Sequence, residues 1–236
     1  MQITAHRGLS SLAPENTLAA FKKAIEFGCT WIELDVQLTQ DEVVVVFHDK
    51  NLERCTNGNG ALAQTPYQTV SQLDAGAWFS PEFKGESIPT LAQTLSLAKC
   101  HGVKLNIEIK IYPETDIDRL CQKIVDVIDA ENINSTEILF SSFYSKALLC
   151  LQTLMPDVAR GFLCQHIPED ISEILSEMDA YSLHCDYRYL DKTQMQTIKS
   201  LGYRIFCYTP NDPQLIREHW QWGLDMAITD VPQDFA

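Results

Sequence analysis

The sequence predicts an α/β protein that folds as a (β/α)8 TIM barrel with a small insertion after the second strand. Three observations support this fold. Short apolar segments typical of strands alternate with amphipathic segments of helical period. The strands number eight, which is the number that closes a parallel sheet into a barrel. The length of 236 residues fits one barrel, so we predict a single domain over 1–236 with the insertion at about 49–88.

The predicted strands and helices alternate along the whole chain. Strands are expected at residues 3–5, 31–36, 105–109, 137–141, 159–163, 180–184, 204–208 and 226–228. Helices are expected at 17–27, 91–100, 117–130, 145–154, 171–178, 192–201 and 213–222. Residues that favour helix ends support these limits. Asn16 is placed to cap the first helix, and Gly28 and Gly102 follow the first two helices.

One segment interrupts this alternation. Residues 49–88 contain many turn-forming residues, including the run 57–60 with sequence Asn-Gly-Asn-Gly, and few apolar ones. The β-branched run at 43–48 is expected to pair with the second strand through a turn at 40–42, which would carry His48 to the barrel. The segment is too short and too polar for a core of its own, so we predict an insertion and not a second domain.

Composition restricts the partners and the compartment. The chain has 18 basic and 32 acidic residues, and its net charge of −14 repels nucleic acid and anionic membrane surfaces. Since no apolar run approaches the roughly 20 residues of a membrane-spanning helix, we expect no stable membrane insertion. The first strand begins too early for a secretory signal, and the eight cysteines lack a disulfide framework. We predict a cytoplasmic protein with free thiols, and self-association into a homo-oligomer stays open.

Charged side chains occupy strand positions that would otherwise face a core. Because side chains alternate along a strand, Glu33 and Asp35 share one face of the second strand. Asn106, Glu108 and Lys110 share one face of the third in the same way. Functional groups of a barrel lie at the carboxyl ends of its strands, and carboxylate oxygens suit a hard divalent ion such as Mg²⁺ or Ca²⁺. The pattern therefore indicates a metal and anion site, with a buried network of ion pairs as the alternative.

Two histidines complete the predicted site. His6 and Arg7 end the first strand, and His48 follows the run at 43–47. Beside an acidic cluster, two histidines are typical of an acid/base pair, whereas each one alone would be a structural histidine. The remaining histidines have no acidic partners in register and are assigned to packing or surface positions: His101, His166, His184 and His219. Phosphate-binding and nucleophile-elbow motifs are absent from the sequence, which excludes P-loop nucleotide hydrolysis and α/β-hydrolase chemistry.

These residues resemble the glycerophosphodiester phosphodiesterase family in its cytoplasmic bacterial type. The resemblance covers nearly the whole chain and is carried by fragments at residues 6–8, 14–17, 20–21, 33–36, 48–49, 52–54, 88–91, 106–110, 142–143, 229–230 and 232. Each fragment is weak, but their order and spacing together are specific. The chain departs from the family pattern in the stretch 207–211, where a Trp is usual, and in the turn at 40–42, where a Gly is usual.

The resemblance implies an enzyme that splits glycerophosphodiesters, such as glycerophosphocholine or glycerophosphoethanolamine, into glycerol 3-phosphate and an alcohol. It implies one divalent cation, Mg²⁺ or Ca²⁺, and a small-molecule substrate. Seven residues match the functional positions of the family: Glu33, Asp35 and Glu108 as metal ligands, His6 and His48 as the acid/base pair, and Arg7 and Lys110 as the phosphate-binding groups. Which histidine is the acid, and whether a cyclic phosphate forms, stays open.

Rival functions use the same residues differently. An aldolase-like barrel would use Lys110 as a Schiff-base nucleophile, although three nearby carboxylates favour the protonated amine. A phospholipase of the same superfamily would act on intact lipids, but the sequence has no evident membrane-insertion surface. A barrel used only for binding would not need a complete set of acid, base and metal ligands.

Overall fold

The predicted barrel is confirmed in a computed structural model, which describes residues 2–235. Eight parallel strands form it: β1 (Gln2–His6), β2 (Trp31–Leu38), β4 (Lys104–Ile109), β5 (Ile138–Ser142), β6 (Ala159–Cys164), β7 (Ser182–Asp186), β8 (Arg204–Tyr208) and β9 (Met226–Thr229). The first strand pairs with both β2 and β9, so the sheet closes on itself. A ninth strand, β3 (Val44–Val46), is antiparallel to β2.

The helices cover the outside of the barrel, with one exception. They are α1 (Leu18–Phe27), α2 (Tyr67–Val70), α3 (Leu91–His101), α4 (Ile117–Ala130), α5 (Ser145–Leu154), α6 (Ile171–Glu177), α7 (Lys192–Ser200) and α8 (Arg217–Trp222). The exception is the short α2, which lies in the segment between β3 and α3. The segment predicted as a helix at 213–222 begins with a 3₁₀ turn at Pro213–Ile216 before α8. Gly28 and Gly102 end α1 and α3 in the left-handed conformation, as predicted.

The predicted cap of the first helix was wrong by one residue. Thr17 is the N-cap, and its side chain accepts a hydrogen bond from the backbone N–H of Ala20. Asn16 is buried with a φ of 57°, and its amide donates to the carboxylate of Asp35 instead. The left-handed backbone, which Asn tolerates better than most residues, turns this side chain inward.

The predicted hairpin at the end of β2 is present. Residues 36–38 of β2 run beyond the pairing with β1 and join β3 in an antiparallel ladder. Glu42 in the connecting turn has a φ of 65°, the left-handed conformation in which glycine is least strained. The chain then enters a segment between β3 and α3 that contains two 3₁₀ turns and the short α2. Its apolar side chains form a small cluster together with Val45 of β3.

Strand alternation divides the barrel into two apolar regions. The main core lies between the outer face of the strands and the helices, where residues such as Phe140 and Leu148 are fully buried. A smaller cluster lies on the inner face and consists of Leu139, Phe206, Met226 and Ile228. The eight cysteines are free thiols, and five of them are buried. Within residues 2–235, the helices are all too short or too polar to cross a bilayer.

One predicted strand was displaced by two residues. The segment predicted at 180–184 forms β7 at Ser182–Asp186. Asp179 takes a left-handed φ of 46°, and the backbone N–H of Ala180 donates to Leu175 at the end of α6. Ala180 therefore closes the helix and does not enter the strand, and Asp186 reaches the carboxyl end of β7.

Candidate active site

A cavity of about 200 Å³ opens at the carboxyl ends of the barrel strands. It has a polar side and an apolar side, and its lining consists of His6, Arg7, Glu33, His48, Asn106, Glu108, Lys110, Ser141, Phe143, Leu163, Tyr208, Thr209 and Ile228. Six of the seven sequence-predicted site residues line it, and the seventh, Asp35, is buried beside them and paired with Arg7 and Lys110. The structure thus brings the whole predicted set together.

Three carboxylates form an acidic cluster on the polar side. Glu33, Asp35 and Glu108 each offer an oxygen atom, and these atoms lie within 4.8 Å of one another. Strand register explains this proximity, because Asp35 of β2 lies directly opposite Glu108 of β4. One oxygen of Glu33 and one of Asp35 are buried without a hydrogen-bond donor among the described residues. Unpartnered carboxylate oxygens at this spacing fit a hard divalent cation.

Burial and neighbouring charges shift the pKa values of all three carboxyl groups of the cluster. Burial raises the pKa of Glu33 well above its usual value, and the charges of Asp35 and Glu108 raise it further. Burial and the charge of Asp35 also raise the pKa of Glu108. Burial has the same effect on Asp35, but the positive charges of Arg7 and Lys110 outweigh it and hold the pKa of Asp35 far below its usual value. A bound divalent cation would stabilise the ionised form of all three carboxyl groups.

Two basic side chains flank the acidic cluster and face the cavity. The guanidinium of Arg7 lies 3.3 Å from Asp35, and the ammonium of Lys110 lies 2.7 Å from Glu108 and 3.6 Å from Asp35. The backbone N–H of Arg7 also donates to Glu33. Although burial lowers their pKa values, the surrounding carboxylates outweigh this effect and keep both side chains protonated. The polar side of the cavity therefore combines a cation-binding cluster with two fixed positive charges.

His6 is oriented by an aspartate from the far end of the chain. Its Nδ1 lies 2.6 Å from the carboxylate of Asp230, which also accepts hydrogen bonds from Ser10 and Asn211. Burial raises the pKa of Asp230, but these hydrogen bonds outweigh it and lower the pKa to about 2. An ionised carboxylate only accepts hydrogen bonds, so Nδ1 of His6 carries a proton and Nε2 is left for chemistry. Nε2 lies 3.8 Å from Glu33 of the acidic cluster.

His48 is oriented in the same way by the next residue. Its Nδ1 lies 2.6 Å from Asp49, and the hydroxyl of Tyr112 donates to its backbone carbonyl at 2.6 Å. The buried amide of Gln37 donates to the carbonyls on either side, at Phe47 and Asp49. Burial lowers the pKa of His48, and the charges of nearby basic side chains lower it further. Both histidines are thus held through Nδ1.

The apolar side of the cavity is formed by four side chains. It consists of Phe143, Leu163, Tyr208 and Ile228. Phe143 and Tyr208 pack edge to face with ring centres 6.1 Å apart, and the Tyr208 hydroxyl donates to the carbonyl of Cys164. Tyr208 thus lines the cavity and lies within the stretch 207–211, where the sequence departs from the family pattern. A carbon chain would be favoured on this side.

Several residues of the site were not assigned roles from the sequence. Asp230 and Asp49 orient the histidines, and Asn16 binds Asp35. The adjacency of Asp49 to His48 is a usable sequence signal. The partnership of His6 with Asp230 spans 224 positions, and no local pattern indicates it.

The chain is similar to known proteins in sequence and in structure. Residues 6–234 match the model of the glycerophosphoryl diester phosphodiesterase family. The chain belongs to this family. A glycerophosphodiester phosphodiesterase of Caldanaerobacter subterraneus is 35% identical over 235 residues, which cover 98% of this chain and 94% of the relative.

Solved structures of the family agree with the fold. An Oleispira antarctica phosphodiesterase, in complex with the product sn-glycerol-3-phosphate, has a TM-score of 0.95 and 37% identity, covering 99% of this chain and 94% of that one. A glycerophosphodiester phosphodiesterase of Agrobacterium tumefaciens has a TM-score of 0.82 and 27% identity, covering 100% and 98%. The protein is therefore an enzyme, a phosphoric diester hydrolase of the glycerophosphodiester phosphodiesterase type.

Proposed function

We propose that this enzyme hydrolyses glycerophosphodiesters such as glycerophosphocholine or glycerophosphoethanolamine to glycerol 3-phosphate and the free alcohol. The observation that carries the proposal is the meeting of three elements in one cavity: a carboxylate cluster, two fixed positive charges and two aspartate-bound histidines. The product bound in the Oleispira antarctica relative is glycerol 3-phosphate, which agrees with this substrate class.

In this proposal the polar side of the cavity binds the phosphodiester. Arg7 and Lys110 would neutralise the negative charge that increases on the phosphoryl oxygens in the transition state. Arg7 offers a planar guanidinium suited to two phosphate oxygens, whereas Lys110 acts as a point charge. Glu33, Asp35 and Glu108 would hold one Mg²⁺ or Ca²⁺, and the bound ion would supply Lewis-acid stabilisation of the same oxygens.

His6 and His48 would move the protons. Because Nδ1 of each is bound to an aspartate, Nε2 is the atom that gains or loses a proton. One histidine would accept the proton of the nucleophile, which is water or the neighbouring glycerol hydroxyl, and the other would protonate the leaving alkoxide. Each transfer contributes about 10²- to 10⁴-fold to the rate.

Lys110 fits the phosphodiesterase better than a Schiff-base enzyme. A nucleophilic lysine must be neutral, so its pKa has to fall. Burial of Lys110 acts in that direction, but the charges of Asp35 and Glu108 outweigh it and raise the pKa. We also infer that residues 1–236 work as one barrel domain with an insertion at about 49–88. The eight free thiols favour a reducing compartment, and we place the enzyme in the cytoplasm.

The proposed reaction is tested by release of glycerol 3-phosphate from glycerophosphocholine and glycerophosphoethanolamine. We expect turnover with Mg²⁺ or Ca²⁺ and its loss with excess chelator. His6→Ala and His48→Ala should each lower kcat about 10²- to 10⁴-fold. His101→Ala, an exposed histidine at the end of α3, is the matched control. Full activity in chelator, or near-normal turnover in either histidine variant, would contradict the corresponding role.

A variant of the acidic cluster tests the metal assignment separately. Glu108→Gln should require more divalent ion for half-maximal activity, because it removes one charged ligand. An unchanged metal titration would rule out Glu108 as a ligand. Release of the free alcohol and a lysophosphatidic acid from intact lysophospholipids, without turnover of the water-soluble diesters, would favour the phospholipase alternative.

A further inference from the structure

Arg54, in the segment between β3 and α3, binds two carboxylates at once. Its Nε and Nη2 atoms donate to Asp49 at 2.6 and 2.8 Å. Its Nη1 and Nη2 atoms donate to Glu15 at 2.7 and 2.8 Å. Bidentate contacts of this kind fix the orientation of a carboxylate relative to the guanidinium as well as the distance between them.

Each of these carboxylates touches a residue that faces the cavity. Asp49 binds Nδ1 of His48, and Glu15 accepts a hydrogen bond from Nη1 of Arg7 at 2.7 Å. The result is a continuous ion-pair chain in the order His48, Asp49, Arg54, Glu15 and Arg7. It joins the loop after β1 to the segment after β3, which are separated along the sequence by 39 residues.

Arg54 does not line the cavity itself, and its side chain is about half exposed on the outside of this chain. Among residues 2–235, the carboxylate of Glu15 accepts hydrogen bonds from Arg7 and Arg54 only, and that of Asp49 binds His48 and Arg54 only. Hydrogen bonds from Arg54 and His48 lower the pKa of Asp49 to about 2, against the effect of its burial. Both carboxylates are therefore ionised acceptors that depend on Arg54 for their orientation.

We propose that Arg54 is a positioning residue that sets the position of His48 relative to Arg7. This proposal rests on the proposed function, in which His48 transfers a proton at the phosphodiester that Arg7 binds. Tyr112 and Gln37 hold the backbone of His48, but they do not hold the carboxylate that orients its ring. Without Arg54, the carboxylates of Asp49 and Glu15 would rotate independently of each other. The position of the His48 ring relative to the Arg7 guanidinium would then no longer be fixed. A displacement of about 1 Å can cost about 10²-fold in rate.

The test compares the kinetics of wild type, Arg54→Ala, Arg54→Lys and a control, Arg119→Ala. Arg119 also makes two contacts of 2.8 Å with a carboxylate, that of Glu42, and is similarly exposed, but it lies outside the ion-pair chain. We expect Arg54→Ala to lower kcat about 10- to 100-fold with KM changed less than about threefold, since Arg54 is not among the residues that line the cavity. The kcat of Arg54→Lys should lie between those of wild type and Arg54→Ala, because an ammonium cannot make the four planar contacts of the guanidinium. Arg119→Ala should keep wild-type kinetics.

Chemical rescue distinguishes positioning from stability. Guanidinium ion, added at a concentration that leaves Arg119→Ala unaffected, should restore part of the kcat of Arg54→Ala but not that of His48→Ala. If Arg54→Ala does not fold, Arg54→Lys decides, and a wild-type kcat in it would overturn the proposal. A raised KM with unchanged kcat would also overturn it, because Arg54 would then bind substrate directly. Inactive wild type would refute the proposed function instead.

Discussion

Replacing Asn16 should weaken divalent-ion binding while leaving the barrel folded. Asn16 is 3% exposed and contacts Asp35 twice: its Nδ2 donates to the carboxylate at 2.8 Å, and its Oδ1 accepts from the backbone N–H at 3.3 Å. It also takes a left-handed φ of 57°. The side chain thus fixes one carboxylate of the acidic cluster, and the backbone conformation fixes the side chain.

Two substitutions separate these contributions. Asn16→Gly removes the amide but accepts the left-handed backbone, whereas Asn16→Ala removes the amide and adds the left-handed penalty of about 1–2 kcal/mol. Asn16→Ala should therefore have a free energy of unfolding lower by about that amount than Asn16→Gly. Both should lose about 10- to 100-fold in ion affinity, as is typical when a group that orients a metal ligand is removed. That loss corresponds to about 1.4–2.8 kcal/mol of binding free energy.

Calorimetric titration with Mg²⁺ and Ca²⁺ measures the affinity, and urea denaturation measures the stability. The matched control is Asn132→Gly, since Asn132 also has a left-handed φ, of 52°, but is exposed after α4. Wild-type affinity in Asn16→Gly would refute the claim that the amide orients a metal ligand. Equal stability of the glycine and alanine variants would refute the backbone part of the reasoning.

Three further predictions concern the inside of the barrel. Glu33→Gln should raise the free energy of unfolding of the ion-free protein at neutral pH. Folding raises the pKa of Glu33, so wild-type stability falls as pH rises above the unfolded value of about 4.3, and the advantage of the variant should vanish in acid. Gly161→Ala should lower the unfolding free energy by about 1–3 kcal/mol, because the new Cβ would lie 2.3 Å from Nε2 of buried His184. Asp230→Asn should lower kcat by about 10²-fold or more with unchanged ion affinity, since a neutral amide no longer fixes the proton on Nδ1 of His6.

Urea denaturation in chelator across pH tests Glu33→Gln, and a pH-independent difference between variant and wild type would contradict it. Thermal and urea unfolding test Gly161→Ala, where wild-type stability would show that His184 moves aside at no cost. Steady-state kinetics and ion titration test Asp230→Asn, and an equal loss in both would mean that Asp230 supports the acidic cluster and not His6.

The fold and the acidic cluster could be predicted from the sequence because both depend on local periodicity. A period of two along β2 and β4 places Glu33, Asp35 and Glu108 on one inner face, and parallel pairing in register brings them together. The predicted limits of two elements were wrong where a left-handed backbone conformation decides them. Because Asp179 takes a left-handed φ, β7 begins two residues later than predicted. Because Asn16 takes a left-handed φ, Thr17 and not Asn16 caps α1. Hydrophobic periodicity does not indicate either conformation.

The groups that orient the catalytic candidates depend on tertiary closure, which no local pattern records. Ala5 of β1 lies opposite Thr229 of β9, and this final pairing of the barrel sets Asp230 beside His6. The position of His48 depends on a different contact, the antiparallel pairing of β3 with residues 36–38 of β2. The two histidines therefore belong to independent parts of the fold, one at the closing seam and one on the hairpin. Arg54 and Glu15 connect Arg7, on the seam side, to Asp49 and His48 on the hairpin. In the proposed mechanism, this ion-pair chain fixes the position of His48 relative to the group that would bind the phosphate.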